Sequence, residues 1–471
     1  MATNCTRREF LRIAGVAASA AVMAACGSPA PTAAPQPTSK PQAAEATKAP
    51  AAEPTKAPVV PTAKAVTGNV RWRTRPADAG EQAVYQQLND EIAKKLQGIS
   101  VTYDPAPVQG YLDKALAEFS AGTAPDIIWL PGASYSAYAA KGVLLDVMPY
   151  LQASSTLTPK SFYASVMNEM THEGKIYGLP RDISTEVVYY NADLFKAKGL
   201  TDPCDLAAKD QWTWETFLSS AQALTTDENK DGVNDTWGCS ITVWWATYWY
   251  FILAAGGNLW NKERTKCTLN TPEVVKGMQF MCDLFHTHKV APAPGAQIDA
   301  AALFNTGKLG MLFSGRWSVP GLRKQAKGFT WNVVEMPKGP AGKATFLFWG
   351  PYAVAKSTKN PDATWKVLEQ LCSVEAQIKI AELGTNIPSR DDETARQAVL
   401  KSTPPANNKA FFDGIPYATV EPAPWTVNMD ELMWAHLDPA AQRVFTKEIT
   451  PQKFADTICQ ELDPIFAKGL K

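Results

Sequence analysis

Between residues 69 and 145 the hydrophobic positions follow two alternating rhythms. Strand-like apolar runs occupy residues 69–74, 99–103 and 126–130. After the first run, apolar side chains recur every fourth position, at Val84, Leu88, Ile92 and Leu96. This spacing predicts the buried stripe of a helix over residues 81–96. Strands that alternate with helices in this way predict an α/β lobe with a parallel sheet at its centre.

Ligands of such sheets bind at the carboxyl ends of the strands, where the loops that follow the strands meet. Arg75 and Asp78 follow the first run, and Trp129 and Tyr135 lie at the end of the third run and in the segment after it. We therefore expect these four side chains near one edge of the first lobe.

The stretch from Gly174 to Phe195 has a different pattern. A short apolar run leads to Pro180 and a polar break, and the Val- and Tyr-rich segment 187–190 then precedes an Asn-Ala-Asp helix start. Proline disfavours helix at the residue before it, while β-branched and aromatic residues favour a strand. The stretch is therefore predicted as strand, crossing, strand and helix, with Asp182 between two lobes.

The second half of the chain continues this mixture. Helices are predicted over residues 272–288, 300–307, 361–383 and 451–466, and strands over residues 309–315 and 345–355. Thr213 is a suitable N-cap for a further helix. Residues 241–257 carry no charged side chain, but they are fewer than the ~20 residues of a membrane span. We interpret them as a wall of a cleft that runs into a buried helix.

The N-terminus has the composition of an export signal rather than of a folded element. A cationic start with Arg7 and Arg8 precedes a short apolar run that ends before Cys26, so residues 1–25 are predicted as a signal peptide. Residues 26–68 are rich in Ala, Pro, Thr and Lys. Such a composition buries too little apolar surface to fold, and we interpret this segment as a disordered tether.

Length and charge narrow the class of protein. A chain of 471 residues is too long for one ordinary core, which favours two lobes. The 46 basic and 46 acidic residues balance, and basic residues cluster only at the extreme N-terminus. Nucleic acid is therefore not expected as a partner.

The cysteines point to no metal or redox motif. None of them forms a C-x-x-C pair, so the sequence does not support a zinc or thioredoxin-type site. Outside the cytosol Cys239 could pair with Cys267 or Cys282, and buried free thiols are the alternative. The sequence leaves the connectivity open.

Several motifs together resemble the extracellular solute-binding proteins of sugar ABC importers. They are Gly174-Lys175 with Ile176–Pro180, Tyr189–Phe195, residues 121–128 with 140–146, Arg316-Trp317, and Pro388-Ser389. The resemblance covers nearly all of residues 69–466 and implies a periplasmic-binding-protein-like II fold, in which two α/β lobes are joined by a hinge with the ligand cleft between them. It implies an N-terminal lobe of residues 69–182 and 350–405 and a C-terminal lobe of residues 183–349 and 406–471.

The resemblance extends to the leader. Residues 6–12 resemble a twin-arginine export signal, and Met23-Ala24-Ala25-Cys26 resembles a bacterial lipobox with Met where Leu is commonest. It implies that Cys26 is lipidated and anchors the protein to the cell membrane from outside the cytoplasm. We expect a monomer that meets the permease subunits of an ABC transporter.

A sugar site needs aromatic walls and polar partners, since indole stacks on the apolar face of a pyranose and unpaired buried polar groups are costly. The chain has 15 tryptophans. We expect ligand contacts from Trp245, Trp317, Trp349, Trp425, Asp182, Asp78 and Tyr135. Packing in the core or hinge is the alternative for each tryptophan, and a turn before the second lobe is the alternative for Asp182.

Arg181 and Arg316 bear on the charge of the solute. An arginine in the cleft would bind a carboxylate or phosphate bidentately. That would favour a sugar acid or a glycerophosphodiester over a neutral sugar. An ion pair with a nearby acid is the alternative for each arginine.

Oxygen-bearing side chains occupy alternate positions of one loop around Gly232. Positions 1, 3, 5 and 9 of this loop are Asp227, Asn229, Asp231 and Asp235. Such ligands suit Ca²⁺, although position 12 is Gly238 rather than a bidentate Glu. A structural calcium and a solvated turn are both open interpretations, and no other cofactor is expected.

We therefore predict a solute-binding lipoprotein that captures a sugar or oligosaccharide by lobe closure and delivers it to an ABC importer. An anionic solute is the alternative ligand. A secreted carbohydrate-active enzyme is the rival class, because a glycosidase needs only two suitably placed carboxylates. The sequence has no G-x-S-x-G, H-E-x-x-H, P-loop or G-x-G-x-x-G motif, and we expect binding without turnover.

Overall fold

The computed structural model describes residues 66–296 and 298–470. The predicted signal peptide, Cys26 and all but the last residues of the tether lie outside the described residues. The first strand begins at Gly68, one residue before the predicted start of the folded body.

Ten strands occur in the described residues. They are β1 (Gly68–Arg73), β2 (Ile99–Tyr103), β3 (Ile127–Trp129), β4 (Gly178–Asn191), β5 (Trp237–Ser240), β6 (Leu309–Gly315), β7 (Trp331–Glu335), β8 (Phe346–Val354), β9 (Ile387–Pro388) and β10 (Thr419–Val420). The strands predicted over residues 69–74, 99–103, 126–130, 309–315 and 345–355 are thus confirmed to within two residues at each end.

The helices surround these strands. They are α1 (Ala79–Lys95), α2 (Tyr111–Ala121), α3 (Gly132–Ala140), α4 (Met148–Ala153), α5 (Ala164–Met170), α6 (Ala192–Ala197), α7 (Pro203–Ala208), α8 (Trp214–Leu224), α9 (Trp245–Ala255), α10 (Pro272–His286), α11 (Ala300–Asn305), α12 (Val319–Gln325), α13 (Pro361–Leu371), α14 (Val374–Leu383), α15 (Glu393–Leu400), α16 (Ala410–Asp413), α17 (Asp438–Phe445) and α18 (Pro451–Lys468). Short 3₁₀ turns cover Pro159–Ser161, Arg316–Ser318 and Ile415–Tyr417, and a π-helical turn covers Glu431–Leu437.

Helix ends follow local capping chemistry. The Thr213 hydroxyl accepts from the backbone N–H of Thr216, and the Thr216 hydroxyl accepts from the backbone N–H of Thr213. This capping box confirms the predicted N-cap of α8. α14 ends at Gly384, whose φ of 88° lies in the left-handed region. Glycine adopts that region at little steric cost, so it ends the helix where the sequence predicted.

One sheet runs through both lobes. Its main strand order is β2-β1-β3-β8-β4-β6-β5, with β10 beside β8 and with β7 and β9 beside β4. β1 is parallel to β2 and β3, as predicted for the first lobe, while β8 and β4 are antiparallel to their neighbours on this path. The two lobes therefore share backbone hydrogen bonds.

β4 is a single strand of 14 residues, so the predicted interruption of the strand after Pro180 is wrong. Residues 178–185 pair with β8, and residues 186–191 pair with β6 and β7. A register shift between Pro180 and Asp182 accommodates the missing N–H of the proline, as β-bulges do. The pairing partner changes after Thr185, and the predicted lobe boundary at residues 182 and 183 lies just before that point.

The aromatic side chains of each lobe pack mainly against one another. In the first lobe Trp72 is buried against Tyr85, Tyr103 and Tyr352, with ring centroids 4.6 to 6.0 Å apart. In the second lobe α9 is buried along nearly its whole length, as predicted for residues 241–257. Within the described residues, the length and apolar character that a membrane crossing requires do not occur together in any helix.

Cys267 and Cys459 form a disulfide that joins the loop before α10 to α18. Cys239 pairs with neither Cys267 nor Cys282, and Cys239 and Cys282 are buried free thiols, which was the alternative that the sequence left open. Cys239 lies inside β5, whereas Cys459 is 192 residues from Cys267 along the chain. No spacing rule brings such distant positions together, and the tertiary fold alone makes this pair.

Replacing both disulfide cysteines by alanine should lower the free energy of unfolding by about 2–5 kcal/mol, because the unfolded chain regains the freedom of a long loop. Denaturant unfolding of the mature domain measures this. Dithiothreitol serves as a matched control, since it should destabilise the wild type and leave the double variant unchanged. Equal stability of wild type and variant would contradict the prediction.

Candidate functional site

The candidate site lies where the two lobes meet, at the carboxyl ends of β1 and β3. The loop after β1 carries Arg75, and β3 ends at Trp129, just before α3. The crossing strands β4 and β8 pass beside these ends. Ligands bind at this edge in open α/β sheets because the loops diverge there.

Trp129 forms the floor of the first lobe at this edge. The guanidinium carbon of Arg75 lies 4.6 Å from its ring centroid, and that of Arg181 lies 5.0 Å away. The indole also covers Gly350, where an added Cβ would meet the indole nitrogen at 2.2 Å. Only glycine therefore leaves room for the ring. Burial and the charge of Arg181 lower the pKa of Arg75.

Arg181 and Asp182 form a buried ion pair next to Trp129. Arg181 Nε donates to Asp182 Oδ2 at 2.8 Å and Nη1 donates to the Tyr85 hydroxyl at 3.0 Å. Asn386 Nδ2 donates to the same Asp182 oxygen at 2.8 Å. The structure thus brings Asp182 to the lobe junction and engages its carboxylate within the protein.

Arg316 is completely buried at the end of β6. Its Nη1 donates to the backbone oxygen of Asn386 at 2.9 Å and to that of Ala381 at 3.4 Å. Burial lowers its pKa to about 10. Arg181 and Arg316, the two arginines that the sequence singled out, are therefore packed inside, and Arg75 is the half-buried arginine at the edge.

Trp317 is the predicted tryptophan that stays open to solvent, with 40% of its surface exposed. Its ring lies over Gly315, where an added Cβ would approach within 2.1 Å. The ring of Phe348 meets it edge to face at 5.2 Å, and Trp244 stacks on Phe348 at 5.6 Å. These aromatic contacts fix the orientation of the Trp317 ring, which leaves part of its surface exposed at the second lobe.

Trp434 is a second exposed tryptophan, with 55% of its surface exposed, and sequence reasoning missed it. It lies in the π-helical turn, one turn after Asp430, whose Oδ1 accepts from the Ser134 hydroxyl of α3 at 3.3 Å. The bond between Asp430 and Ser134 is a tertiary contact, and it brings the π-helical turn to α3. The sequence around Trp434 has the hydrophobic spacing of an ordinary helix, so it gives little indication of a binding residue. π-helical turns are nevertheless frequent at functional sites.

Of the other predicted tryptophans, Trp245 and Trp349 are buried and Trp425 is half-buried. Trp245 is 3% exposed and contacts Trp249, while Trp349 donates its indole N–H to the backbone oxygen of Glu421 at 2.8 Å. Trp425 stacks on His172 with ring centroids 4.4 Å apart. These contacts fit the packing alternative, and ligand contacts by the three tryptophans stay a prediction.

Tyr135 and Asp78 each make a hydrogen bond to the backbone, and their contact with a ligand stays a prediction. Tyr135 is fully buried, and its hydroxyl accepts from the backbone N–H of Tyr177 at 2.7 Å. Asp78 is exposed and caps α1 by accepting from the backbone N–H of Glu81 at 2.9 Å. Both lie near the predicted edge, and each already has a hydrogen bond within the protein.

Glu421 places a buried carboxyl at the N-terminus of α3. The backbone N–H groups of Ala133 and Trp349 donate to its two oxygens, each at 3.4 Å. Burial raises its pKa to about 7, against the opposing effect of those two N–H groups and of the Arg75 charge. Near neutral pH this carboxyl is therefore partly protonated.

Glu186 is a second buried carboxyl at the junction. It faces Gly315 across β4 and β6, so its side chain shares the face of the sheet that Trp317 covers. Its Oε2 atom accepts no hydrogen bond from the described residues. Burial raises its pKa to about 8, because an unpaired buried charge is costly.

The acidic loop predicted to bind calcium uses its oxygens on its own backbone. Asp227 accepts from the N–H groups of Asp231 and Gly232, and Asp235 accepts from that of Glu228 at 2.8 Å. Across residues 66–296 and 298–470, His, Cys, Asp and Glu side chains form no group of three or more that could hold a metal ion. Calcium binding by Asp227, Asn229, Asp231 and Asp235 stays a prediction.

Two α/β lobes that share crossing strands, with exposed indoles and buried polar groups where they meet, have the architecture of periplasmic binding proteins. The family model described as bacterial extracellular solute-binding protein matches residues 87–412. The chain belongs to this family of binding proteins.

Relatives with known roles are similar along most of the chain. The maltooligosaccharide ABC transporter solute-binding lipoprotein of Streptococcus pneumoniae is 22% identical over 423 residues, which cover 84% of this chain and 92% of the relative. The galactooligosaccharide-binding protein of Bacillus subtilis is 24% identical over 393 residues, covering 78% and 84%. Both relatives are binding proteins by name.

Solved structures confirm the fold class. An ABC substrate-binding protein of Listeria monocytogenes in complex with cycloalternan superposes with a TM-score of 0.76 at 23% identity, covering 85% of this chain and 99% of that one. The maltose/maltodextrin-binding domain of Bdellovibrio bacteriovorus bound to maltotriose superposes with a TM-score of 0.68 at 19% identity, covering 85% and 99%. At these identities the likeness concerns the fold.

Replacing Glu186 by glutamine should flatten the pH dependence of stability. The pKa of Glu186 is about 8 in the folded protein, and its ordinary value is 4.5. Between pH 4.5 and 8 the unfolded chain therefore binds fewer protons at this residue than the folded protein does. The free energy of unfolding of the wild type thus falls as pH rises through this range. Melting temperatures from pH 5 to 8 measure this slope, and the variant should gain stability relative to the wild type toward pH 8. The exposed Glu393→Gln is the control. An unchanged slope in Glu186→Gln would contradict the prediction.

Proposed function

We propose that this protein captures a sugar or oligosaccharide between its two lobes and delivers it to an ABC importer. The observation that supports this most directly is the pair of exposed indoles, Trp317 and Trp434, near the lobe junction. Indole faces suit the apolar faces of pyranose rings, and the buried polar groups around them suit the hydroxyls.

The shared strands suit such a role. Because β4 and β8 pair across the junction, the lobes can move about the segments that cross between them without separating. Binding proteins use hinges of this kind to close on a ligand and to release it. Relatives named for maltooligosaccharide and galactooligosaccharide binding point to the same ligand class.

The proposal includes an extracytoplasmic location. Membership of the extracellular solute-binding family and the lipoprotein among the relatives support it. We propose that export through the twin-arginine route and lipidation of Cys26 anchor the protein to the cell membrane. The tether then keeps a monomeric binding domain close to the permease subunits, and no catalytic turnover is required.

Replacing Trp317 or Trp434 by alanine should weaken sugar binding at least about tenfold, or ~1.4 kcal/mol, because a stacking face is lost. Isothermal titration of the mature domain with maltotriose, galactobiose and larger oligomers measures the dissociation constants. Binding should also change the tryptophan fluorescence of the wild type, since both rings are exposed without ligand.

Trp365→Phe provides the control. This tryptophan is buried and stacks on Tyr150 in the first lobe, with ring centroids 5.7 Å apart, so its replacement should leave the affinity unchanged. The proposal fails if no sugar of the panel binds the wild type. If sugars bind and both alanine variants keep full affinity, the ligand does not stack on these two rings.

A further inference from the structure

Three arginines lie at the lobe junction, and they differ in what they contact. Arg181 is paired with Asp182, and Arg316 donates to backbone oxygens inside the protein. Arg75 is half-buried, and within the described residues no carboxylate oxygen lies within 4.0 Å of its guanidinium nitrogens. A guanidinium has five N–H donors in a rigid fork, so Arg75 keeps a set of donors that the described protein does not use.

Packing orients this fork. The guanidinium of Arg75 lies over the Trp129 ring, with its central carbon 4.6 Å from the ring centroid. The guanidinium carbon of Arg181 lies 5.0 Å from the centroid of the same ring, and the missing side chain of Gly350 leaves room for the indole. A guanidinium over an indole face offers its N–H groups from its edges, and little rotational freedom is lost when a ligand binds.

Glu81 and Glu421 are the acids whose charges act on Arg75, but both carboxylates are engaged elsewhere. Glu81 accepts from the backbone N–H of Ala77 at 2.7 Å and from the Tyr85 hydroxyl at 2.9 Å. The backbone N–H groups of Ala133 and Trp349 hold the oxygens of Glu421, which makes no ion pair with Arg75 within 4.0 Å. Burial also raises the pKa of Glu421 to about 7, which reduces its average charge at neutral pH. Arg75 therefore presents a guanidinium without a direct ion-pair partner at the carboxyl ends of β1 and β3.

We propose that Arg75 is a specificity-determining residue of the cleft, whose guanidinium fork binds two adjacent oxygen atoms of the saccharide. This inference rests on the proposed function and narrows it. The two oxygens belong either to a sugar carboxylate or to a pair of vicinal hydroxyls, since both present acceptors at a spacing that a planar fork matches. Charge separates the two sources, because only the carboxylate forms an ion pair.

The test compares Arg75→Met, which keeps an apolar stem over Trp129 without donors, with Arg75→Lys, which keeps the charge without the fork. Arg396→Met is the matched control, because Arg396 is exposed and also lies over an aromatic ring, that of Phe412, at 5.0 Å. The probes are maltotriose, galactobiose and digalacturonate, titrated into each mature domain at low and high salt.

We expect Arg75→Met to weaken the bound probe by about 10- to 100-fold and Arg75→Lys to restore only part of the loss. A loss confined to digalacturonate, with wild-type affinity that falls at high salt, identifies the carboxylate. A loss on the neutral sugars without salt dependence identifies the vicinal hydroxyls. The melting temperature without ligand and the affinity of Arg396→Met should stay at wild-type values.

Two results would overturn the inference, and they can be told apart. If the wild type binds a probe and the dissociation constant of Arg75→Met lies within twofold of the wild-type value, Arg75 does not bind the ligand. The proposed function then stands. If the wild type binds none of the three probes, the proposed function fails and this role of Arg75 fails with it.

Discussion

The antiparallel pairing of β4 with β8 is the constraint on which the rest of the structure depends. β4 continues from this pairing into the sheet of the second lobe, so the lobes are joined by backbone hydrogen bonds as well as by loops. A strand that passes between two lobes takes its polar side chains into the interior. Each of those side chains then needs a partner or a neutral state.

The junction meets that demand in two ways. Arg181 and Asp182 pair with each other, and removing one partner of such a buried pair typically costs about 3–5 kcal/mol. Among the described residues Glu186 has no ion-pair partner and its Oε2 atom accepts no hydrogen bond, and burial favours its protonated form. Glycines meet a different need, because the rings of Trp129 and Trp317 occupy the space that side chains at positions 350 and 315 would fill.

Local patterns predicted much of the fold, because they depend on neighbours in sequence. The parallel strands, α1, the N-cap at Thr213 and the helix end at Gly384 all follow from periodicity and capping. The site was less predictable. Residue type marked tryptophan as suited to sugars, but only packing separates exposed Trp317 and Trp434 from buried Trp245 and Trp349. The same holds for arginine, where the half-buried residue at the edge is Arg75.

The sequence by itself thus determined the α/β class and the resemblance to solute-binding proteins, and it predicted the position of the first crossing. These features rest on short-range periodicity and on motifs that are read directly. The tertiary structure decided that β4 is continuous, that Cys267 pairs with Cys459, and which polar groups are left to meet a ligand. Each of these depends on contacts between residues that are far apart in the chain. Hydrophobic periodicity and local motifs depend only on sequence neighbours, so they do not predict such contacts.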